Sequence, residues 1–255
     1  LLGGSDTEVV AGADFGILDS FDDLLADFQK AVDAGFPRVK LKVRPGWDVD
    51  MLRAVRGSFP DTVIHIDCNA GYTLDDIDTF RAIDEFGLAF IEQPLSWHDV
   101  LDHAELARQI ETPICLDESA QELRVVEQAL EIGACHYVNI KPGRSGGLTR
   151  SVKIHDMCRD HGVPVWIGGM LESSVGAGLL VELATLPNFT YPGDIGPSSK
   201  FYVEDLAMPA VELTDTLTVA PFMDGLPEPD DDRLAKMLVH SASVTMDDAI
   251  ADHDG

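Results

Sequence analysis

Three lysines and three acidic residues, five of them at nearly equal spacing along the chain, could together move a proton. They are Lys40, Lys42, Asp67, Glu92, Asp117 and Lys141. Each lies in or just after a short run of β-branched and apolar residues. From Lys42 onward the intervals are 25, 25, 25 and 24 residues. Side chains that recur at one point of a repeating unit are candidates for a common site.

The two lysines of the second apolar run could supply a base. Side chains alternate along a strand, so Lys40 and Lys42 face one side and Leu41 faces the other. Two ammonium groups in a desolvated mouth lower each other's pKa, which is how lysine becomes a base near neutral pH. The alternative is a pair of solvated lysines on an edge strand. Only seven lysines occur in the chain, and three end strands, which favours the functional interpretation.

The three acids predict a metal site. Asp67, Glu92 and Asp117 each follow a buried strand, and converging carboxylates would repel one another without a cation. Oxygen-only ligation suits Mg²⁺ or Mn²⁺ better than zinc, which prefers His and Cys. Any one of them could be an unrelated acid in a very acidic protein. Their equal spacing favours a shared site.

An alternation of strands and helices would position these residues. The predicted strands are Val9–Ile17, Arg38–Val43, Val63–Asn69, Leu88–Pro94, Pro113–Glu118, Tyr137–Pro142, Pro164–Gly169 and Phe189–Ile195. Eight strands predict an α/β fold of the TIM-barrel type, whose active site lies at the carboxyl ends of the strands. A doubly wound open sheet shares the alternation, but it would not bring residues from strands two to seven to one point.

In such a barrel, strands two and six lie across from each other. Lys42 and Lys141 would then flank the pocket, with the metal on the wall between them. A carbon acid held there could lose a proton to either side, and the metal would stabilise the resulting enediolate.

Composition narrows the class of protein. The formal net charge is −27, with 45 acidic and 18 basic residues, which argues against nucleic-acid binding. No apolar run is long enough for a membrane helix, and residues 1–8 carry no export signal. The four cysteines have no metal or redox spacing, so we expect reduced, buried thiols in a cytoplasmic protein. The acidity is either a solvated surface or an adaptation to high salt.

The motifs together resemble the enolase superfamily. They are K-x-K at Lys40, D-x-N at Asp67, E-Q-P at Glu92, D-E-S at Asp117, N-x-K-P-G-R-x-G-G at Asn139, G-G-M-L-E-S at Gly168 and P-G-D-I at Pro192. The match is best with the branch that holds o-succinylbenzoate synthase and N-acylamino acid racemase. It implies a (β/α)7β barrel of the enolase superfamily over residues 8–210, lacking most of the N-terminal α+β cap domain. Residues 1–7 would be a remnant of the cap, 211–245 a segment packed outside the barrel, and 246–255 a disordered acidic tail.

The resemblance also implies roles for the residues. Lys42 would abstract the α-proton, and Lys40 would lie beside the substrate carboxylate. Lys141 would stabilise the enediolate or act as a second base. Asp67, Glu92 and Asp117 would bind Mg²⁺ or Mn²⁺. The supporting and substrate-lining residues would be Asn69, Glu118, Gly169, Met170 and Glu172. Met170-Leu171-Glu172 stands where dipeptide epimerases carry Asp-x-Asp, which argues against that branch.

Three functions follow from the resemblance. The first is o-succinylbenzoate synthase, which dehydrates SHCHC, its cyclohexadiene carboxylate substrate, in menaquinone biosynthesis. The alternative is an N-acylamino acid (N-succinylamino acid) racemase, which needs both Lys42 and Lys141. The third is a capless barrel that binds metal but turns over poorly. All three would take a small-molecule carboxylate, and the resemblance leaves a homo-oligomer open.

Overall fold

A computed structural model describes residues 2–240 of the chain. Its strands are β1 Val9–Val10, β2 Ala13–Phe15, β3 Val39–Lys42, β4 Ile64–Asp67, β5 Ile91–Glu92, β6 Ile114–Leu116, β7 Tyr137–Ile140, β8 Val165–Ile167, β9 Ala207–Met208, β10 Thr218–Val219 and β11 Glu228–Pro229. Its α-helices are α1 Phe21–Ala34, α2 Val49–Ser58, α3 Ile77–Asp84, α4 Val100–Ala107, α5 Leu123–Ile132, α6 Pro142–Ser145, α7 Leu148–Asp160, α8 Ser174–Leu183 and α9 Asp231–Met237. Two short 3₁₀ helices cover Leu74–Asp76 and Ser198–Lys200.

Seven parallel strands, β2 to β8, form one curled sheet in sequence order. The segment after α8 closes it. Phe189 bridges to Val165 on β8, and Gly193 bridges to Ala11 beside β2. The backbone N–H of Asp194 donates to Ile167 O at 2.9 Å, and that of Gly12 donates to Gly193 O at 2.9 Å. The chain therefore has the predicted α/β barrel architecture, with seven regular strands and one irregular closing segment.

Capping residues and apolar faces position the helices that cover this barrel. Ser20 caps α1 by accepting a hydrogen bond from Asp23 N at 3.1 Å, as serine commonly does at a helix N-terminus. Gly35 ends the same helix in the left-handed conformation, at φ 88°. Leu24 and Phe28 form part of the buried face of α1, and both are at most 1% exposed. Caps and apolar faces of this kind fix each helix against the sheet.

Two predicted strands differ in the structure. The segment Val9–Ile17 is divided: β1 pairs antiparallel with β10 outside the barrel, and only β2 joins the main sheet. The segment Phe189–Ile195 makes isolated bridges rather than a regular strand. Pro192 lies in its middle and has no N–H to donate to a ladder. Both corrections concern the seam where the barrel closes.

The segment after the barrel packs partly against it. Val211 and Val219 are buried in the same apolar cluster as β7 and β8. The end of the predicted 211–245 segment and the 246–255 tail lie outside the described residues.

All four cysteines are free and buried, as predicted. Among residues 2–240, no helix is long and apolar enough to cross a membrane.

The distribution of charge predicts stabilisation by salt. The basic surface residues lie mainly in exposed pairs three residues from an acid, such as Arg81 with Asp78 and Arg108 with Glu105. Such pairs contribute little, so the net charge of −27 leaves unbalanced repulsion. We expect the melting temperature to rise as KCl goes from about 0.1 to 1 M, because the screening length falls from about 10 to 3 Å.

The control is the same titration near the isoelectric point of about 4.3, where the rise should be smaller. A melting temperature that stays constant with KCl at neutral pH would contradict the interpretation.

Candidate active site

Strand register brings the three predicted metal ligands to one wall of the barrel mouth. Asp67 on β4 is the register partner of Glu92 on β5. Glu92 pairs with Cys115 on β6, and Asp117 lies two residues further on, so it faces the same side. Asp67 and Glu92 are fully buried, and Asp117 is 1% exposed. The sequence prediction that these acids converge agrees with this geometry.

Lys40 lies at the centre of the carboxylates. Its Nζ is 2.9 Å from Asp67, 2.8 Å from Glu92 and 3.2 Å from Asp194. Burial alone would lower the pKa of Lys40, but these three negative charges outweigh it and hold the pKa well above its usual value. The expectation that two neighbouring lysines lower each other's pKa is therefore wrong for Lys40. The sequence pattern did not show that the acids surround it.

Lys42 lies nearer the mouth, with its side chain 37% exposed. Its Nζ donates to Asp67 Oδ2 at 2.6 Å and to Asn69 Oδ1 at 2.5 Å. Asn69 in turn donates to Glu118 Oε1 at 3.0 Å. Asn69 has a left-handed backbone, φ 43°, which is uncommon outside glycine and turns its side chain back toward the strand ends. The structure thus brings Asn69 and Glu118 to the site, as predicted.

Lys141 lies just past β7, on the other side of the acidic wall. Its Nζ donates to Asp117 Oδ2 at 2.9 Å. Arg144 pairs with the other oxygen of Asp117. Burial would lower the pKa of Arg144, but Asp117 raises it above its usual value. No role was predicted for Arg144, although it is the arginine of the N-x-K-P-G-R-x-G-G motif; its place three residues after Lys141, on α6, was the available signal.

Glycines at the end of β8 make room for this arrangement. A Cβ atom at Gly168 would lie 2.1 Å from Asn139 Oδ1 and 2.5 Å from Lys141 Cε. Asn139 needs that room because it donates to Glu92 Oε1 at 2.7 Å. No larger residue could stand at Gly168 without displacing both side chains. Asn139 was part of the N-x-K-P-G-R-x-G-G motif, but the sequence predicted no role for it, although it faces the same side as Lys141.

Gln93, the middle residue of the E-Q-P motif, is a further residue for which the sequence predicted no role. It is fully buried and has a left-handed backbone, φ 38°. Its Oε1 accepts hydrogen bonds from the N–H groups of Asp117 and Ser119, each at 3.0 Å. The side-chain amide thereby fixes the turn after β6 that carries Asp117. Gln93 acts on the site by positioning this acid.

Arg38 and Asp194 close the barrel beneath Lys40. Arg38 is fully buried, and its Nη2 is 2.7 Å from Asp194 Oδ1. Burial alone would raise the pKa of Asp194, but Lys40 and Arg38 outweigh it and hold the pKa far below its usual range. A Cβ atom at Gly12 would lie 2.0 Å from Arg38 Nε, so this position also needs glycine.

The mouth is a pocket of about 220 Å³. Its lining includes Lys40, Lys42 and Lys141, together with Gly169 and Met170. These predicted residues therefore share one cavity, and Met170 is 54% exposed there.

Glu172, in contrast, turns back on its own loop. Its Oε2 accepts a hydrogen bond from Met170 N at 2.6 Å. The structure therefore gives Glu172 a contact within the loop that follows β8, beside the predicted substrate-lining residues.

The donor set suits a divalent cation. The Oε2 atoms of Glu92 and Glu118 are buried, and neither accepts a hydrogen bond. The Nζ of Lys40 lies 2.8 Å from Glu92 Oε2, but at an angle that does not make a hydrogen bond. Burial and the charge of Asp67 raise the pKa of Glu92 to about 8. Among residues 2–240, no three acidic, His or Cys side chains stand arranged around a common metal position. Lysine and arginine side chains hold most of the acidic oxygens instead, so the fit rests on the carboxylate chemistry of the donors and on Glu118 Oε2, which is buried without a hydrogen-bond donor.

Substitution of one of these acids tests whether the barrel mouth binds a divalent cation. We expect Glu92→Gln to weaken Mn²⁺ binding at least about tenfold, because the amide lacks the negative charge of the carboxylate. Binding can be followed by the loss of the free Mn²⁺ signal in electron paramagnetic resonance. Glu105→Gln is the control, since Glu105 pairs with Arg108 on the surface. Equal affinities for the wild type and Glu92→Gln would contradict the site.

Comparison with known proteins gives the family. Residues 23–226 match the model of the family described as enolase C-terminal domain-like. The chain belongs to this family. Within the enolase superfamily, it is 45% identical over 225 residues to an o-succinylbenzoate synthase of Geobacillus kaustophilus, covering 88% of this chain and 60% of the relative. It is 49% identical over 211 residues to an N-succinylamino acid racemase of an Amycolatopsis species, covering 82% and 57%.

Solved structures of the superfamily agree with the fold. An enolase superfamily member from Listeria innocua superposes with a TM-score of 0.87 at 36% identity, over 92% of this chain and 64% of that one. The chain thus spans about 60% of the length of the curated relatives that it matches. The predicted barrel of the enolase superfamily is confirmed.

Proposed function

We propose that the chain belongs to an enzyme that abstracts a proton from the carbon next to a carboxylate, most specifically an o-succinylbenzoate synthase. The observation that carries the proposal is the placement of Lys42 and Lys141. Each contacts one end of the row formed by Asp67, Glu92 and Asp117. A substrate carbon between the two amines would have a basic group on either side.

The residues of the chain would divide the work. Lys42, as the neutral amine, would take the α-proton. The ammonium of Lys141 would stabilise the negative charge that develops on the carboxylate oxygens as the enediolate forms. Asp67, Glu92 and Asp117 would hold Mg²⁺, or Mn²⁺, which when bound would supply further positive charge for that enediolate. In the dehydration, the C–H bond would break first as Lys42 takes the proton, and the β-hydroxyl would then leave as water with a proton returned by the Lys42 ammonium, which restores the neutral amine.

The dehydration can be tested with the purified chain. We expect SHCHC to be consumed in the presence of Mg²⁺, followed by the change in its ultraviolet absorbance, and consumption to stop when EDTA removes the metal. A chain that binds Mg²⁺ but leaves SHCHC unchanged would instead favour the barrel that binds metal and turns over poorly. That outcome would overturn the synthase proposal.

A second candidate, N-succinylamino acid racemase, is favoured by the presence of an amine on both sides. Lys141 Nζ is held 2.9 Å from Asp117, across the acidic row from Lys42. The relative with this activity name is 49% identical to the chain. A racemase needs one group to remove the proton and another to deliver one to the opposite face. Loss of optical rotation from N-succinyl-L-alanine would support it, and constant rotation would exclude it.

A further inference from the structure

A buried histidine lies beneath the acidic row and has no part in the proposed chemistry. His65 is on β4, two residues before Asp67, so both side chains face the interior of the barrel. Its side chain is fully buried. The Nε2 atom of His65 lies 3.7 Å from Oε2 of Glu92, and neither atom has a hydrogen-bond partner. A polar atom of the histidine therefore faces an oxygen of the proposed metal site.

Aromatic rings hold His65 in one orientation. The centre of the Phe90 ring lies 4.3 Å from that of His65, at an interplanar angle of 31°. Trp166 and Tyr191 approach it nearly edge to face, at 5.3 and 5.5 Å. Close packing on these sides restricts rotation of the imidazole. The direction of its Nε2 is therefore set by the core of the barrel.

The other ring nitrogen determines which proton His65 carries. Nδ1 lies 3.0 Å from the hydroxyl oxygen of Tyr191. Burial, with the positive charges of Arg38 and Lys40, lowers the pKa of His65 well below its usual value, so the neutral ring has one N–H. When the Tyr191 hydroxyl donates to Nδ1, this proton lies on Nε2. A metal ligand must be ionised, and the opposite tautomer would set a lone pair against the carboxylate of Glu92, so the Nε2–H form is favoured.

Lys40 approaches the same oxygen more closely, but its charge opposes a bound cation. Its Nζ lies 2.8 Å from Glu92 Oε2. The ammonium also lies 2.9 Å from Asp67 and 3.2 Å from Asp194, and it would repel a divalent cation held beside it. A neutral N–H group attracts a carboxylate without this repulsion. His65 is thus a contact that Glu92 can keep when a metal binds.

We propose that His65 is a positioning residue of the metal site, which orients Glu92 through its Nε2–H group. The inference rests on the proposed function, in which Glu92 is a ligand of Mg²⁺ or Mn²⁺. A shift of about 0.7 Å would bring the two atoms to an ordinary hydrogen-bond distance. Asn139 already donates to the other oxygen, Oε1, at 2.7 Å. Two neutral donors would then hold the carboxylate from behind, and Tyr191 would keep the proton of His65 on Nε2.

The test measures Mn²⁺ binding in variants that remove or keep the donor. His65→Phe keeps an aromatic ring but has no N–H, whereas His65→Gln retains a side-chain N–H donor. We expect His65→Phe to weaken Mn²⁺ binding about tenfold to hundredfold, as for loss of an outer partner of a metal ligand. His65→Gln should restore most of the affinity. The free Mn²⁺ signal in electron paramagnetic resonance reports binding, and high KCl limits weak binding to the acidic surface.

His155→Phe is the matched control. His155 lies on α7, is also buried, and stacks on Phe189 with ring centres 5.5 Å apart. Its Nε2 accepts a hydrogen bond from Asn188 N, so the variant should lower the free energy of unfolding and leave Mn²⁺ affinity unchanged. Equal Mn²⁺ affinities of the wild type and His65→Phe would overturn the inference. Equal losses in His65→Phe and His65→Gln would also overturn it, because they would indicate a role in packing alone.

The position of the proton provides a second test. Nitrogen-15 nuclear magnetic resonance with saturating Mg²⁺ distinguishes the two tautomers, and the imidazole signals missing from His65→Gln belong to His65. We expect the proton on Nε2; a proton on Nδ1 would overturn the inference.

The same samples separate this inference from the proposed function. A wild type that binds no Mn²⁺ would overturn both the metal site and the role of His65. Exchange of the Cα proton of N-succinyl-L-alanine in D₂O and turnover of SHCHC report the function alone. Mn²⁺ binding that depends on His65, in a chain without either reaction, would overturn the function and support the positioning role.

Discussion

Lys42→Ala is expected to lower the rate of proton abstraction by about 10² to 10⁴, the usual contribution of a positioned general base. The fold should survive, because Asp67 keeps its contact with Lys40 at 2.9 Å. The rate is measured as turnover of SHCHC, or as racemisation of N-succinyl-L-alanine, at saturating Mg²⁺. A loss in turnover without a loss of metal affinity would identify Lys42 as a base rather than as a structural cation.

Two further variants separate charge from basicity. Lys42→Arg keeps a positive group beside Asp67, but a guanidinium does not lose its proton at any ordinary pH. It should therefore be nearly as impaired as Lys42→Ala. Lys30→Ala, on the surface of α1, should have wild-type activity. Equal activities of Lys42→Ala and Lys30→Ala would defeat the role given to Lys42.

Asp194→Ala is expected to lower the free energy of unfolding by about 3 to 5 kcal/mol, the typical cost of breaking a buried ion pair by removing one partner. Arg38 would remain fully buried beneath the pocket without its counter-charge. Urea denaturation at pH 7 measures the loss. Asp27→Ala is the control: its pair with Lys30 is exposed, and its removal should cost at most about 1 kcal/mol.

This contribution of Asp194 should depend on pH with a definite sign. The folded-state pKa of Asp194 lies far below its usual range, although burial opposes this, because Lys40 and Arg38 outweigh burial. In the unfolded chain the carboxyl takes up a proton near its ordinary pKa of about 3.9. The unfolded state therefore binds more protons below about pH 5, and the stabilisation declines as the pH falls. The difference between wild type and Asp194→Asn should shrink from pH 6 toward pH 3; a constant difference would contradict this.

The sequence alone predicted the parts of the site that depend on local pattern. β-branched runs and helix caps such as Ser20 give the alternation of strands and helices, and the repeat then places Asp67, Glu92 and Asp117 on one wall. Strand alternation also put Lys40 and Lys42 on one side. These predictions need only short-range rules, since each strand adds its side chain at the same height of the barrel.

The remainder depends on contacts between distant parts of the chain. Arg38 and Asp194 are 156 residues apart and meet only because the last segment closes against the first strand. Lys200 and Asp14 are 186 residues apart and meet across the same seam. No periodic pattern connects such residues. The raised pKa of Lys40 follows from the same closure, because Asp194 is one of the three acids around it.

The seam also explains the two strands that the sequence predicted imperfectly. β1 leaves the barrel because its partner β10 comes from residues after 210, beyond the predicted barrel. The last segment contains Pro192 and Gly193, which interrupt a ladder without preventing the bridges that close the barrel.

Loss of the Cα–H signal of N-succinyl-L-alanine in D₂O, followed by proton nuclear magnetic resonance with the 255-residue chain and Mg²⁺, tests the central claim most directly. The lysines and carboxylates at the barrel mouth predict that this signal decays, that EDTA stops the decay, and that Lys42→Ala slows it at least about a hundredfold. A Cα–H signal that persists while Mg²⁺ and the ligand are both bound, in a chain that also leaves SHCHC unchanged, would contradict proton abstraction at this site.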